Sequence, residues 1–529
     1  MTTDASGNIY LTGVFTGTVS FGTVTLTSVG SLDIFVVKWD PASARFIWGQ
    51  RAGGTGADWA YAVAVSGASV YITGTFNSDT ALFGSTTLTN NFPGANQGDI
   101  FIAKLTDTGA TVGFVWCQQA GGNYNELAST IVVRGSSVYI AGQFNSATAA
   151  FGTQVLTKAG GSNSYNDAFV AKLIDAGPTA SFAWAQRAGG ADNDRVQVLD
   201  VAGPNVYVGG YFDSSSADFG STVLSSAGQS DAFVSKLTDA GSTSTFGWTQ
   251  QFGGTGLDAV RTLLINGSTL YVAGTFSNAA RFGTTTLTAA GAVDAFVAKL
   301  NDAGATSSFV WTKSAGGTGI DNVAALALHH NSLLLAGNFY SPSLGFGITT
   351  LSNTSAGSRS NIFIAKLADA GTTSNFEWAT QHTSSQNYDY AATVAVSGTT
   401  VYTAGYVSPP ASFGSITVSS PGNNQAGFLA TLTDPTLTAT TAPQSSLSFS
   451  LTPNPARAAV ALTLPALPGT ATATLTLRDA LGRTLRTQTL ALPAAGLRHT
   501  LDLTGLAPGL YAVQVLAGPA AATQRLVVE

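Results

Sequence analysis

Charge is scarce in this 529-residue chain, of which 9% is Asp, Glu, Lys or Arg, against roughly 25% in an ordinary soluble domain. Glutamate occurs three times, at Glu126, Glu377 and Glu529, and lysine eight times. These residues usually fill exposed helix faces, so their scarcity excludes a helical architecture. The single cysteine, Cys117, forms no internal disulfide and leaves the redox compartment open. No run approaches the ~18 uninterrupted apolar residues of a membrane-spanning helix, so no transmembrane segment is expected. The net charge of −6 comes without any basic cluster, which removes nucleic acid from the expected partners. At the start, Met1-Thr2-Thr3-Asp4-Ala5-Ser6-Gly7 shows neither the basic nor the apolar part of a secretory signal.

The chain is rich in the material of strands and tight turns: 60 glycines, abundant Thr, Ser, Ala and Val, and 29 Phe, 15 Tyr and 8 Trp. A hydrophobic share of 44% over this length suffices for more than one core and excludes disorder throughout.

Self-comparison exposes a repeat. Aromatic-x-Trp elements place Trp48, Trp116, Trp184, Trp248, Trp311 and Trp378 about 65 residues apart. A Phe-Gly pair recurs at Phe21, Phe83, Phe151, Phe219, Phe282, Phe346 and Phe413. Between them run VYITG at 70–74 and its counterparts, then DIFIAKL at 99–105 and its counterparts, each seven times if degraded copies are included. Each unit therefore offers four short strand signals in the order AVAV, VYxxG, DAFVAKL and Phe-x-Trp, separated by turns such as Asn266-Gly267 and Asn301-Asp302-Ala303-Gly304. The link through Phe-Gly reads as a long connection.

A four-stranded meander cannot bury both faces alone; seven arranged radially can. The expected fold class is all-β, a seven-repeat β-propeller over residues 1–432 with an incomplete first blade. The Phe-x-Trp, GGTGxD, VYxxG and DAFVAKL elements resemble the bacterial seven-bladed β-propeller repeat family over residues 4–433. The Trp and AVAV elements occur six times, the others seven, and residues 4–13 begin within a unit. This uneven count predicts that a Trp strand, an AVAV strand and a signal peptide precede Met1.

Residues 433–448, rich in Thr, Ala, Pro and Ser, read as a linker. Composition then changes. Residues 443–529 hold six arginines and three acids, against 16 basic and 25 acidic residues before them. Alternating strands at 460–464, 473–479, 483–490, 499–503, 509–516 and 524–528 predict a small Ig-like β-sandwich over 449–529. Pro453-Asn454-Pro455, Asp479 with Gly482-Arg483, Gly505-Leu506, Pro508-Gly509, Tyr511 and the closing strand with Arg525 resemble the type A C-terminal sorting domain of the type IX secretion system. The resemblance implies a Gram-negative bacterium, export through the inner membrane, recognition at the outer-membrane translocon, and surface attachment or release.

Candidates for chemistry are few. The acids after each Trp strand, Asp58, Glu126, Asp192 with Asp194, Asp258, Asp321 and Asp389, read as turn residues that accept backbone amides. Calcium-nonapeptide binding needs nine-residue stacking, and these lie over sixty residues apart. Lys38, Lys104, Lys172, Lys236, Lys299 and Lys366 share one position, where a stem on the sheet with its head in solvent is expected. The Trp and Phe-Gly series read as core between sheets. His329-His330 reads as a turn substitution, because neighbouring side chains on a strand point oppositely. Cys117 reads as a small buried hydrophobe.

No Gly-x-Ser-x-Gly elbow and no paired carboxylates in a pocket stand out, so catalysis, cofactor and metal are not expected. Ligand candidates are instead the unequal loops Asn90–Gln97, Lys158–Asn166 and Leu351–Ser360, since variable loops on a rigid scaffold carry binding. The leading expectation is a secreted or surface-displayed binding or adhesion module that engages the translocon through its tail and a glycan or protein through its loops. The alternatives are a glycan-active hydrolase or lyase with a funnel site, and a structural envelope component.

Overall fold

The computed structural model describes every residue except 95–96, 161–163, 355–358, 385–387, 420–424, 438–448, 467–471, 480–483, 494–495, 518–519 and 529. Strands dominate; among the described residues there is no α-helix, and one 3₁₀ turn spans Pro435–Leu437. The chain divides into two compact units, Met1–Thr438 and Ala439–Glu529.

In the first unit each repeat forms one antiparallel meander. The third repeat shows the plan: Glu126–Arg134 pairs with Ser137–Phe144, which pairs with Asp167–Asp175, which pairs with Ala180–Ala188. The strands follow the expected order and are called first to fourth here. Successive first strands, Asp58–Ser66, Glu126–Arg134, Asp194–Ala202, Ala259–Asn266, Asp321–His329 and Tyr390–Ser397, pack beside one another, so the sheets stand radially around a common axis. This is a propeller-like arrangement. The first repeat has a two-residue first strand, Thr2–Thr3, and the seventh has three described strands. Their inner ends meet: a Cβ placed on Gly7 would sit 3.4 Å from Ser397 Oγ.

The stretch read as a long connection between second and third strands is itself a short hairpin, for example Thr80–Phe83 with Thr86–Thr89. Its first strand pairs with the end of the fourth strand of the preceding repeat, as in Gly53 opposite Leu82 and Gly121 opposite Ala150. The Phe-Gly phenylalanine fills the sheet beneath: Phe83 lies 4.7 Å from Phe101 and 5.9 Å, edge-on, from Phe114.

Every full first strand carries a β-bulge, at Tyr61, Ser129, Gln197, Arg261, Ala324 and Ala392. The glycine of VYxxG makes it possible. A Cβ on Gly74, Gly142, Gly210, Gly274, Gly337 or Gly405 would collide with the carbonyl oxygen of the residue two before the bulge.

The second unit is a sandwich of two sheets. One orders Ser450–Thr452, Ala459–Leu464 and Leu497–Asp502; the other orders Thr484–Ala491, Thr472–Asp479, Gly509–Ala517 and Ala520–Val528. Val460, Leu462, Leu475, Leu477, Val513, Val515 and Leu526 form its core.

Candidate functional site

The charges of the repeat template hold the sheets together. Asp107, at the end of the second repeat's third strand, accepts Lys38 Nζ and Tyr10 OH, each at 2.7 Å, and Trp48 Nε1 at 3.0 Å, all from the first repeat. The same triad of donors meets Asp175, Asp239, Asp302 and Asp369. In the sixth repeat Leu334 replaces the tyrosine, and Lys366 Nζ lies 3.4 Å from Asp434 and 2.8 Å from Glu377. Burial opposes ionisation of Asp302, but its Lys236, Tyr207 and Trp248 bonds outweigh it and hold the carboxyl down at about 2.

The lysine heads therefore do not reach solvent, as their pattern led one to expect; Lys366 is 2% exposed and Lys172 4%. The reason is a carboxylate from the following repeat, about 70 residues downstream. The sequence does show it, as an aspartate two residues beyond each DAFVAKL leucine. The tryptophans sit in the sheet cores as expected, with Trp48, Trp116, Trp184, Trp248 and Trp311 all buried.

The acids after the Trp strands do cap their own turns. Asp58 accepts the Gly54 amide at 2.7 Å, the Asn77 and Ser78 amides at 3.0 and 3.1 Å, and Ser78 Oγ at 2.7 Å. Glu126, Asp194, Asp258, Asp321 and Asp389 are likewise buried; Asp192 is the half-buried neighbour in its turn. All of the buried ones but Asp389 face a second buried acid, the aspartate opening DAFVAKL. A Cβ on Gly53 would lie 2.8 Å from Asp58 Oδ2 and 3.1 Å from Asp33 Oδ1. Asp99, Asp167, Asp231 and Asp294 stand opposite the next four, and Asn361 opens the sixth third strand. Burial first, and the facing carboxylate second, push Glu126 and Asp194 up to about 7 and Asp258 and Asp294 up to about 6. With exposures of 2% or less, these pairs touch no ligand.

What remains is the axis. At the end of the meanders that carries the acid turns and the unequal loops, the first strands present residues that are not repeated. Tyr61 is 46% exposed at its bulge, and Arg261 and Ala392 are exposed at theirs. Arg261 Nη1 donates to Gln197 Oε1 of the neighbouring first strand at 3.0 Å. One step nearer the mouth, the Arg195 guanidinium lies over the Tyr211 ring at 5.8 Å, and Tyr390 stacks on Tyr406 at 5.6 Å and 20°. Tyr340 and Tyr388 follow at 6.1 Å.

Burial raises the pKa of Tyr211 and Tyr390, and Arg261 pulls both down, so this guanidinium addresses the fourth and seventh repeats together. Asp213, beside them, is pushed up to about 6, mainly by burial and further by Asp192 against the pull of Asn193 and Arg195. Its Oδ1 is buried without a hydrogen-bond partner among the described residues. The array offers stacking faces, two guanidinium forks and one carboxyl poised near neutrality. Its signal in the sequence is variation: at the bulge position the copies read Tyr, Ser, Gln, Arg, Ala and Ala.

The other candidates resolve simply. Cys117 is buried, and burial raises its thiol pKa. His330 takes the positive φ of 54° that Gly67 or Gly267 has elsewhere, and His329 Nε2 lies 3.0 Å from Leu437 O. The unequal loops border the funnel end, with 95–96, 161–163 and 355–358 outside the described residues. In the tail, Asn454 grips the last strand, donating to Arg525 O at 2.6 Å and accepting Val527 N at 2.9 Å. Tyr511 OH donates to Ala507 O at 2.8 Å, and Gly505 has φ 82°. Pro453, Pro455, Asp479, Leu506, Pro508 and Gly509 lie around these strands, while Gly482 and Arg483 fall outside the described residues.

Fold and funnel define a repeat-built, propeller-like β protein with a C-terminal β-sandwich. Residues 450–529 match the family described as the secretion system C-terminal sorting domain. The tail is thus a type IX sorting domain, and the protein is exported to the cell surface or secreted. No described helix is long and apolar enough to cross a membrane. Regulatory protein FlaEY of Caulobacter vibrioides is 27% identical over 256 residues, which are 47% of this chain and 26% of that protein; the chain thus spans about a quarter of that relative's length. Among solved structures, Trypanosoma rangeli sialidase in complex with the inhibitor DANA is similar at TM-score 0.29 and 11% identity, covering 88% of this chain and 83% of that one. Dimeric latent PorU from Porphyromonas gingivalis is similar at TM-score 0.14 and 9% identity, covering 69% and 31%.

Proposed function

We propose that this exported protein is a binding module of the seven-bladed β-propeller repeat family, and that it holds a saccharide of the cell exterior at the mouth of its central funnel. The observation that carries the reading is the clustering of unrepeated residues there. In a copied unit, positions that serve folding stay alike, and positions that differ are free for recognition. Tyr61, Tyr390 and Tyr406 offer faces for sugar rings, and Arg195 and Arg261 offer paired donors for hydroxyls or carboxylates. The test is binding of the purified full chain to an array of bacterial and host glycans, repeated with Arg261→Ala and Tyr390→Ala. Saturable binding that falls at least tenfold in both variants, with melting temperature unchanged, supports the reading; equal binding by both variants refutes it.

One observation favours a hydrolytic alternative. Asp213, held near 6 beside Arg195 and Tyr211, has the protonation behaviour of a general acid. Turnover of a bound glycan that Asp213→Asn abolishes without weakening binding would replace the binding reading by this one.

A further inference from the structure

Most cations built into the propeller sheets are matched by an acid, the template lysines as described and Arg51, Arg134 and Arg187 by Asp33, Asp200 and Asp167. Arg195 and Arg261, both at the funnel, enter no ion pair among the described residues. Arg261 is exposed and gives Nη1 to the neutral Gln197 amide; the rest of its fork has no described partner. Arg195 lies over the Tyr211 ring, and its Nε is buried without a described hydrogen-bond partner. The acids of these turns are engaged elsewhere: Asp194 accepts Gly190 N and Ser214 Oγ, Asp258 accepts Gly254 N, and Asp389 accepts Ser408 N. Asp213 stands beside Arg195 without a described ion pair. Burial and the Asp192 charge hold its carboxyl up at about 6 against Asn193 and Arg195, so an arriving anion meets a group ready to take up a proton.

The two guanidinia share one neighbourhood. Arg195 is the register partner of Tyr211, and Gln197, two residues beyond Arg195, holds Arg261 at 3.0 Å. Both charges oppose the rise that burial causes in Tyr211. Arg261 does the same at Tyr390, which stacks on Tyr406. Two cations brought together without a counterion repel one another. A hydroxyl fills their N–H donors and leaves that repulsion in place, whereas a planar carboxylate fills the donors in the geometry of the fork and removes it. We infer that the saccharide held at the funnel is an acidic one, its carboxylate shared by Arg195 and Arg261 and a sugar ring laid on the Tyr390–Tyr406 stack. The inference rests on the saccharide-binding reading and narrows it to carboxylate-bearing sugars.

The test titrates the purified full chain with carboxylate-bearing oligosaccharides, each beside the same oligosaccharide with its carboxyls reduced to alcohols, and with neutral and sulfated chains. An acid bound at least tenfold more tightly than its reduced form, with that preference lost in Arg195→Gln and in Arg261→Gln, supports the proposal. A preference that survives either substitution overturns the assignment to these arginines. Binding of neutral or sulfated chains alone, or of a reduced form as tightly as its acid, overturns the acidic ligand and leaves saccharide binding standing. If no saccharide binds, both readings fall. Each variant's fold is checked by its melting temperature; should one not fold, comparison of the acid with its reduced form on the unsubstituted chain still decides whether the ligand is acidic.

Discussion

The buried acid pairs should make the stability of the propeller unit fall as pH rises from about 4.5 toward 7. Take Asp99 and Glu126. Glu126 is pushed up to about 7 and Asp99 to about 6, each mainly by burial; the facing Asp99 charge adds to the rise in Glu126. A carboxyl whose folded pKa exceeds its unfolded value holds its proton in the folded state while the unfolded chain has already released it. Its stabilising contribution is complete below about 4.5 and is lost as pH rises to about 7. At ~1.4 kcal/mol per pH unit, a rise from 4.5 to about 7 in Glu126 corresponds to roughly 3 kcal/mol. Because the two acids titrate together, that figure belongs to the pair.

Asp99→Asn removes one charge and keeps the shape. The sixth repeat already uses this solution, with Asn361 in place of the aspartate and Asp389 as the capping acid. The retained oxygen can still accept Asn91 N and Gln119 Nε2, which Asp99 Oδ2 takes at 2.7 Å each; the new amide faces Glu126 and gives up the long bond that Oδ1 accepts from Asn91 Nδ2 at 3.2 Å. In a unit of this size about 3 kcal/mol corresponds to a few degrees of melting temperature. Melting curves of the full chain from pH 4.5 to 8.5 should nearly coincide for wild type and variant near pH 5. They should separate to a variant advantage of roughly 3–6 °C at pH 8. A variant curve parallel to wild type, or one lying below it at pH 8, would refute the paired-acid argument.

Lys172→Met leaves Asp239 buried without its cation and should cost about 3–5 kcal/mol, measured by denaturant melting; adding Asp239→Leu should restore part of the loss. Asp302, held at about 2, sets the acid limit: its contribution is present above the ordinary aspartate range and disappears as pH falls toward 2, so Asp302→Asn should flatten the melting profile below pH 4. Gly253→Ala drives a methyl group into Asp231 and Asp258 at a φ of 143° and should lower the melting temperature more than Gly267→Ala, whose Cβ meets nothing. Deleting residues 449–529 should leave the propeller unit in the periplasm; normal surface delivery of that truncation would refute the sorting role of the tail.

The repeat and its strand order were legible because a period of about 65 residues displays the same alternation many times over. The Lys–Asp–Tyr–Trp junctions were hidden because the partners belong to different copies: Lys38 and Asp107 are 69 residues apart, and within one unit the lysine and the aspartate three residues on point to opposite faces of the strand. The short hairpin escaped because four-residue strands such as Thr86–Thr89, rich in threonine and half-exposed, carry little hydrophobic alternation. The funnel residues escaped for a geometric reason. A bulge inserts one residue and reverses the in-out phase of the strand, so a period of two read through Tyr61 or Arg261 points it to the wrong side.

The scarcity of charge has the same origin as the placement of the funnel. Each template lysine is matched by an aspartate of the next repeat, and most turn acids are buried against a second acid inside the sheets, so the repeated charges cancel or are withheld from the surface. Copying the unit therefore copies its adhesion between sheets without charging the surface. The unrepeated residues stand apart from these lysine–aspartate junctions. The bulge at the head of each first strand is such a position: its backbone is fixed by the VYxxG glycine, and no described inter-sheet ion pair involves it. The side chain there differs from copy to copy, as Tyr61, Gln197 and Arg261 illustrate.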